Sequence, residues 1–198
     1  MQTPKPLSQS FFRRETLAVC RDLLGKNLCR TLDGETARLP LIEIEAYDGP
    51  DDLASHASKG MTPRNRVMFE KGGVWYIYLC YGIHWMLNIV TGEAGYPGAI
   101  LIRGAGDLTG PGKITKALGI TANLNGQPSE TRSGLWIEES GILVPDHQIE
   151  KKPRIGVGYA GPMWAEKPLR FIWNREKTKP FSGVVGMGRS GIQRKQKP

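Results

Sequence analysis

The sequence predicts one α+β domain in which antiparallel strands, short helices and a β-hairpin surround a single core. The length of 198 residues fits one well-buried core. The turn dipeptide Asp33-Gly34 separates two strand patterns and favours antiparallel pairing, and a second pair of strand patterns meets at Gly82, which predicts the hairpin. We expect a single domain over residues 1–198, with a basic, loosely ordered tail from about residue 183.

Charge and composition narrow the class of protein. The 27 Lys and Arg residues outnumber the 19 Asp and Glu residues, a balance that favours polyanionic partners but also fits an incidentally basic enzyme. No run of about 18 apolar residues is present, so we expect a soluble protein without a membrane partner. The N-terminal residues lack an apolar secretory segment, which predicts an intracellular location, in the cytoplasm or nucleoid of a bacterium or the nucleus of a eukaryote. Because the three cysteines form no Cys-x-x-Cys pair, neither a disulfide framework nor a zinc site is predicted.

The first elements of the chain belong to the scaffold. A helix is expected over residues 16–24, where apolar residues recur at helical spacing. Thr16 can cap its start and Gly25 can end it. A strand is then expected from Lys26 to Arg30, before the first turn.

The strand pattern at residues 41–47 carries carboxylates in an unusual place. Alternation predicts two faces, with Ile42, Ile44 and Ala46 on one and Glu43, Glu45 and Tyr47 on the other. The carboxylate face is therefore either solvated or part of a site. The turn residues 48–52 end this strand and predict a short helix towards His56.

Two segments are candidates for contact with a phosphate backbone. Residues 58–66 predict an ordered basic loop, in which Arg64 and Arg66 suit phosphate, although a solvated charged loop is the commoner outcome. Residues 109–113 precede a short helical pattern, so their amides and Lys113 could bind an anion at the start of that helix.

The predicted hairpin is rich in large rings, most of which fit ordinary core packing. Tyr81 differs, because a turn at the hairpin tip holds its ring outward. An exposed aromatic side chain at such a tip can wedge between stacked bases, whereas in an unrelated protein it would be a hydrophobic liability.

Four further strand patterns follow the hairpin, at residues 99–102, 135–137, 142–144 and 167–172. The first of them ends at Arg103, whose side chain can face the carboxylates of residues 41–47. The segment at residues 154–161 is too rich in glycine for an ordinary strand, and its glycines permit close approach of the backbone to a neighbour or ligand.

Several motifs occur together in a fixed order: Glu45-Ala46-Tyr47, His56, the TPRNR segment at residues 62–66, Tyr78-x-x-Tyr81-Gly82, Asn88, Arg103 and Arg154-x-Gly-x-Gly. In this combination the chain resembles the alkyladenine (3-methyladenine) DNA glycosylase family over roughly residues 8–172. The resemblance implies a compact mixed α/β domain with a curved antiparallel sheet. It also implies binding to duplex DNA from the minor groove and flipping of a damaged purine into a pocket.

The resemblance implies a role for each matching residue: Glu45 as general base, Arg103 as the group that positions water and a nearby phosphate, Tyr47, His56 and Tyr78 as rings around the flipped base, Asn88 as the amide that disfavours normal guanine, and Tyr81 as the side chain that fills the vacated space in the duplex. No lysine matches a Schiff-base nucleophile, so we expect hydrolysis without strand cleavage, with no cofactor and no metal. The expected partner is double-stranded DNA with damaged purines, 3-methyladenine-like bases first and hypoxanthine as a further candidate, bound by a monomer.

Elementary chemistry supports this set of residues. Cleavage of an N-glycosidic bond builds positive charge on the sugar, so a carboxylate such as Glu45 can stabilise that charge and take a proton from water. Arg103 nearby would favour the ionised carboxylate over the raised pKa expected from burial alone. Alkylated purines are often cationic, which suits an aromatic cage through stacking and cation–π contacts.

Two other interpretations remain open at this point. The hairpin and basic surface would also suit a non-catalytic module that binds damaged DNA or RNA, which would bind lesions without turnover. The fold would also suit a domain similar to the C-terminal substrate-binding domain of a formyltransferase, which would prefer transfer RNA to lesion-containing duplex.

Overall fold

A computed structural model describes residues 4–175, in which antiparallel strands and four short helices form the predicted α+β arrangement. The helices are α1 (Gln9–Phe12), α2 (Thr16–Leu23), α3 (Pro111–Ala117) and α4 (Pro162–Ala165). The strands are β1 (Asn27–Leu32), β2 (Glu35–Asp48), β3 (Trp75–Cys80), β4 (His84–Thr91), β5 (Gly98–Ala105), β6 (Leu108–Thr109), β7 (Leu135–Glu138), β8 (Ile149–Lys152) and β9 (Arg170–Trp173). The predicted fold class is therefore confirmed, whereas the tail from about residue 183 lies outside the described residues.

A long strand, β2, joins the two parts of the sheet. The strand order is β3-β4-β5-β2-β1-β7, with β6 beside β5 and with β9 between β2 and β8. The first half of β2 pairs with β1 across the predicted turn, and its second half pairs with β5. At Glu43, Ile44 and Glu45 the strand also pairs with β9. Glu45 therefore lies inside the sheet, away from either edge, and its side chain is fully buried.

The predicted face of Ile42, Ile44 and Ala46 packs on the core, but the alternation over residues 41–47 is irregular at its start. Register shifts against β5 occur between Leu41 and Glu43 and again between Glu43 and Ile44. Such an irregularity changes the face that successive side chains occupy. Two successive side chains consequently contact the core. Leu41 is fully buried there, and Ile42 is partly buried. Ile44 faces the core as predicted.

Helix α2 covers part of the sheet with an apolar stripe. It buries Val19, Cys20 and Leu23 against β2 and β5. The predicted cap at its start is wrong, because the Thr16 hydroxyl accepts a hydrogen bond from the Thr91 hydroxyl at 3.0 Å and so ties the helix to β4. Within residues 4–175, no helix is long and apolar enough to cross a membrane.

The short helix predicted towards His56 is also wrong. Residues 49–60 form turns and bends. The carboxylate of Asp52 accepts hydrogen bonds from the backbone N–H groups of Asp48 and Ala54, at 3.2 and 3.0 Å. An aspartate that bonds nearby backbone in this way stabilises a turn at the expense of a helix.

The strand predicted at residues 142–144 does not form either. Ile142 and Val144 instead point at Gly25, where an added Cβ would lie 2.8 Å from the Val144 side chain. Gly25 has a φ of 83°, so it also ends α2 as predicted. The strand in this region begins later, at Ile149–Lys152, and pairs with β9.

The predicted hairpin is confirmed as β3 and β4, with Trp75 opposite Ile89 and Cys80 opposite His84. At the tip Tyr81 has a φ of 50°. A bulky residue rarely adopts this left-handed conformation, and such strain often marks a functional position. The tip is therefore a candidate functional element on structural grounds as well.

Candidate active site

A large cleft opens between the hairpin, the carboxylate face of β2 and β5, and the segments around residues 53–64 and 155–160. Its volume of about 1270 Å³ exceeds what one small molecule usually occupies. Six of the ten predicted site residues line it: Tyr47, His56, Arg64, Tyr78, Tyr81 and Arg103. The fold thus gathers into one cavity residues that are spread over more than 50 positions of the sequence.

Glu45 is fully buried and lies behind the residues that line this cleft, where three groups donate to it. The Tyr47 hydroxyl donates to Oε2 at 3.1 Å, the Ile155 backbone N–H donates to Oε1 at 2.8 Å, and Nε of Arg103 lies 3.3 Å from Oε1. All three donor residues line the cleft. The carboxylate is therefore held in one orientation next to the open space.

Two opposing effects set the pKa of Glu45. Burial raises the pKa above its ordinary value, while Arg103, the Ile155 amide and the Tyr47 hydroxyl lower it. Burial is the larger effect, so the pKa is raised overall, and Arg103 acts in the predicted direction without cancelling it. A carboxyl group whose pKa is moved towards neutrality is suited to general acid–base chemistry.

A second carboxylate, Glu43, shares the arginine with Glu45. Its Oε1 accepts hydrogen bonds from Nε of Arg103 at 3.2 Å and from Nη1 of Arg170 at 3.0 Å. Two arginines thus neutralise two carboxylates, and Glu43 fixes the guanidinium of Arg103 beside Glu45. Among residues 4–175, no group of three or more His, Cys, Asp or Glu side chains is arranged to hold a metal ion.

Two aromatic rings, His56 and Tyr78, line one wall of the cleft, and the buried ring of Tyr76 supports them. The rings of His56 and Tyr78 meet edge to face with centroids 4.5 Å apart, and those of Tyr76 and Tyr78 lie 5.3 Å apart. Nδ1 of His56 is 2.9 Å from the Tyr76 hydroxyl. Removal of the imidazole from water, together with the charge of Arg64, lowers the pKa of His56 and so favours the neutral ring.

Asn88 lines a small recess beside these rings. Its amide nitrogen donates to the carbonyl oxygens of Tyr76 and Met86, at 3.0 and 3.4 Å. These two bonds fix the orientation of a nearly fully buried amide. Asn88 is therefore a hydrogen-bonded core residue, and because its amide is fixed, it forms a rigid part of the recess.

Tyr81 projects from the hairpin tip into solvent, with 92% of its surface exposed. Ile83 at the same tip is 72% exposed. Exposed apolar side chains at the rim of a cleft are unusual in a protein without a partner at that surface. The prediction that the Tyr81 ring points outward is thus confirmed.

The predicted basic residues lie in different places. Arg64 is at the rim of the cleft, where its Nη2 donates to the carbonyl oxygen of Leu79 at 3.2 Å and its guanidinium lies 5.7 Å from the centre of the Tyr78 ring. Arg66 and Lys113 are exposed but do not line the cleft. The structure therefore brings only Arg64, of these three, next to the predicted pocket residues.

Sequence reasoning missed several residues of the site. The RxGxG motif gave no role to Arg154, whose guanidinium forms a fully buried ion pair with Asp52. Neither the amide of Ile155 nor the hydroxyl of Tyr159, which donates to the Ala54 carbonyl oxygen at 2.8 Å, could be found from a pattern. A backbone donor carries no residue-type signal, and burial of a charge depends on tertiary packing.

Comparison with known proteins shows similarity over most of the chain. The chain matches the model of the methylpurine-DNA glycosylase family over residues 10–109 and 106–177. It is 42% identical to a protein of Methanocella arvoryzae over 83% of this chain and 90% of the relative. A protein of Myxococcus xanthus is 40% identical over 89% and 94%, and one of Psychrobacter cryohalolentis is 41% identical over 83% and 90%. Each of the three is named "Putative 3-methyladenine DNA glycosylase".

Proposed function

The chain belongs to the methylpurine-DNA glycosylase family, and on that premise we propose that it removes 3-methyladenine-like alkylated purines, and hypoxanthine, from duplex DNA. Family membership makes it a hydrolase of N-glycosyl bonds. The single observation that supports the mechanism most directly is Glu45, a fully buried carboxylate whose three donor residues line an aromatic cleft.

Glu45 is the proposed general base. As the bond between base and sugar breaks, positive charge develops on the sugar, and an ionised carboxylate beside the cleft stabilises that charge. The same carboxylate takes a proton from the attacking water, whose oxygen forms the new bond to the sugar while the base leaves. Arg103 holds the carboxylate and is close enough to orient water or a phosphate oxygen.

The aromatic wall is the proposed recognition surface for the flipped base. A cationic alkylated purine gains from stacking and from cation–π contacts with Tyr47 and Tyr78. His56 adds a ring without adding charge, because its pKa is lowered and a neutral imidazole does not repel a cationic base. Asn88 presents a fixed amide that can clash with the exocyclic amino group of normal guanine.

Tyr81 is the proposed wedge that takes the place of the flipped nucleotide. Its ring is exposed at the tip of a hairpin beside the cleft, so it can enter a duplex while the displaced base enters the pocket. Arg64 at the rim can contact the backbone of the same strand.

The proposed activity is tested with a panel of duplexes that each contain one altered purine. We expect the wild-type protein to release 3-methyladenine and other alkylated purines and to leave abasic sites without nicking the strand. Hypoxanthine release is measured in the same panel. Tight lesion binding with no base released from any duplex would instead favour a binding module.

The pH dependence of this reaction follows from the raised pKa of Glu45. Because the base must be ionised, kcat/KM is expected to rise with pH through a midpoint above the ordinary value for glutamate. Arg103→Gln moves this midpoint higher still, since the arginine lowers the pKa of Glu45. Rates of base release measured across the acid range check both statements, and a midpoint at or below that of a free glutamate would contradict the first.

Replacement of the proposed wedge is expected to weaken binding and leave the fold intact. Tyr81→Ala removes the ring that stacks in the duplex, which lowers affinity for a lesion-containing duplex by about 1–3 kcal/mol. Tyr81→Phe keeps the ring and serves as the matched control, with nearly wild-type affinity. Affinities are measured by fluorescence anisotropy, and equal affinity of the alanine and phenylalanine variants would return Tyr81 to an ordinary surface residue.

A further inference from the structure

A buried ion pair joins the turn after β2 to the segment after β8. The side chains of Asp52 and Arg154 are both fully buried. The guanidinium of Arg154 donates to both carboxylate oxygens of Asp52, with Nη2 2.8 Å from Oδ1, and its Nη1 also donates to the carbonyl oxygen of Ala46 at 2.9 Å. One side chain thus links three segments of the chain, and one of its partners is the strand residue next to Glu45.

The same arginine touches the site through two neighbours. Its Cζ lies 4.8 Å from the centre of the Tyr47 ring, which lines the cleft. The residue that follows it, Ile155, donates its backbone N–H to Oε1 of Glu45 at 2.8 Å. The position of Arg154 therefore bears directly on one donor to Glu45.

We infer that the ion pair of Asp52 and Arg154 is a positioning pair that holds the Ile155 amide on Glu45. Residues 153–157 belong to no helix or strand, so regular backbone hydrogen bonds do not fix this donor. The anchoring bonds of Arg154 lie one residue away from it. The inference rests on the proposed glycosylase function, in which Glu45 is the base.

The other groups around Glu45 have a different support. They come from strands of the sheet: Glu43 and Tyr47 from β2, Arg103 from β5 and Arg170 from β9. Pairing between these strands fixes the backbone of all four residues independently of the buried ion pair. Of these side chains the Tyr47 ring also contacts Arg154, a residue that Asp52→Asn retains. Loss of the pair consequently moves the amide of Ile155 and leaves the sheet donors in place.

The expected effect has a sign that separates positioning from simple charge. The Ile155 N–H favours the ionised form of Glu45, so its displacement raises the pKa of that carboxyl. Removal of the negative charge of Asp52 by Asp52→Asn would, by Coulomb interaction alone, lower the same pKa. An increase in the variant therefore reports movement of the amide.

The experiment follows Glu45 in the free protein and in the reaction. The carboxyl carbon of Glu45 is titrated by 13C NMR in protein labelled at glutamate, with its signal assigned by loss in Glu45→Gln. We expect the midpoint to move to higher pH in Asp52→Asn. Relative to the wild type, the rate of base release by this variant should fall about tenfold further at the acid end of the pH–rate profile than on the alkaline plateau. One charge-assisted hydrogen bond changes the ionisation equilibrium of a carboxyl group by about tenfold.

A second variant covers the case in which Asp52→Asn does not fold. Asp52→Asn combined with Arg154→Met removes both charges, so no unpaired charge is left in the interior. It lacks the same anchor and should show the same rise of the Glu45 midpoint. Glu138→Gln is the matched control, because Glu138 is also a buried carboxylate paired with an arginine, Arg38, but lies in β7 away from the cleft.

Each outcome decides one question. A folded variant in which Glu45 titrates as in the wild type overturns the positioning role, and so does an equal rise in Glu138→Gln. If the wild type releases no damaged base, the proposed function fails, while the NMR titration of the free protein still decides whether the pair positions the amide.

Discussion

Glu45→Gln is expected to lower the rate of base release by about 10²–10⁴-fold, the usual contribution of a general base. Glutamine has the shape of glutamate. Its single carbonyl oxygen can keep the hydrogen bond from the Ile155 N–H, and its NH2 group can donate to the Tyr47 hydroxyl, so the cleft and the affinity for DNA should persist. The variant loses the negative charge beside the developing cation and the capacity to take a proton from water. Single-turnover release of 3-methyladenine from a defined duplex measures the effect.

The control for this prediction is Glu138→Gln, which neutralises another buried glutamate of the same sheet. Its partner Arg38 is about half exposed and remains solvated, so the change leaves no buried unpaired charge. We expect base release at close to the wild-type rate. Equal formation of abasic sites by Glu45→Gln and the wild type would remove Glu45 from the proposed mechanism.

Asp52→Asn is expected to lower the free energy of unfolding by about 3–5 kcal/mol, the typical cost of leaving one partner of a buried ion pair uncompensated. The guanidinium of Arg154 is fully buried and keeps its charge at any pH at which the protein folds. It would have no carboxylate to balance that charge, while its bond to the Ala46 carbonyl oxygen offsets only part of the loss. Urea unfolding monitored by circular dichroism measures the difference.

The matched control is Asp146→Asn, which breaks the exposed ion pair with Arg21. Water already solvates both groups, so the free energy of unfolding should hardly change. A loss of stability in Asp52→Asn no larger than that in Asp146→Asn would mean that the buried pair contributes no net stability. The double change of Asp52→Asn and Arg154→Met should recover part of the loss, because it removes the unpaired charge.

Local patterns were sufficient for the elements whose hydrogen bonds are local. The Asp33-Gly34 turn and the hairpin with Tyr81 at its tip were predicted because turn chemistry acts between residues close in sequence. The same reasoning failed at Thr16. Its hydroxyl was expected to cap its own helix, but it accepts a hydrogen bond from Thr91 in β4. The reasoning was incomplete at Asp52, whose carboxylate stabilises the turn as predicted and also forms half of a buried ion pair.

The sequence by itself determined the antiparallel α+β class, the exposed ring of Tyr81 and the set of side chains able to carry the chemistry, because periodicity, turn residues and side-chain chemistry are local properties. Only the tertiary structure decided that Glu45 is buried and which groups donate to it. Its Ile155 donor is 110 residues away in the chain, and Asp52 and Arg154 are 102 residues apart. Burial and pKa depend on which distant segments pack together, and that packing carries no signal within a short window of sequence.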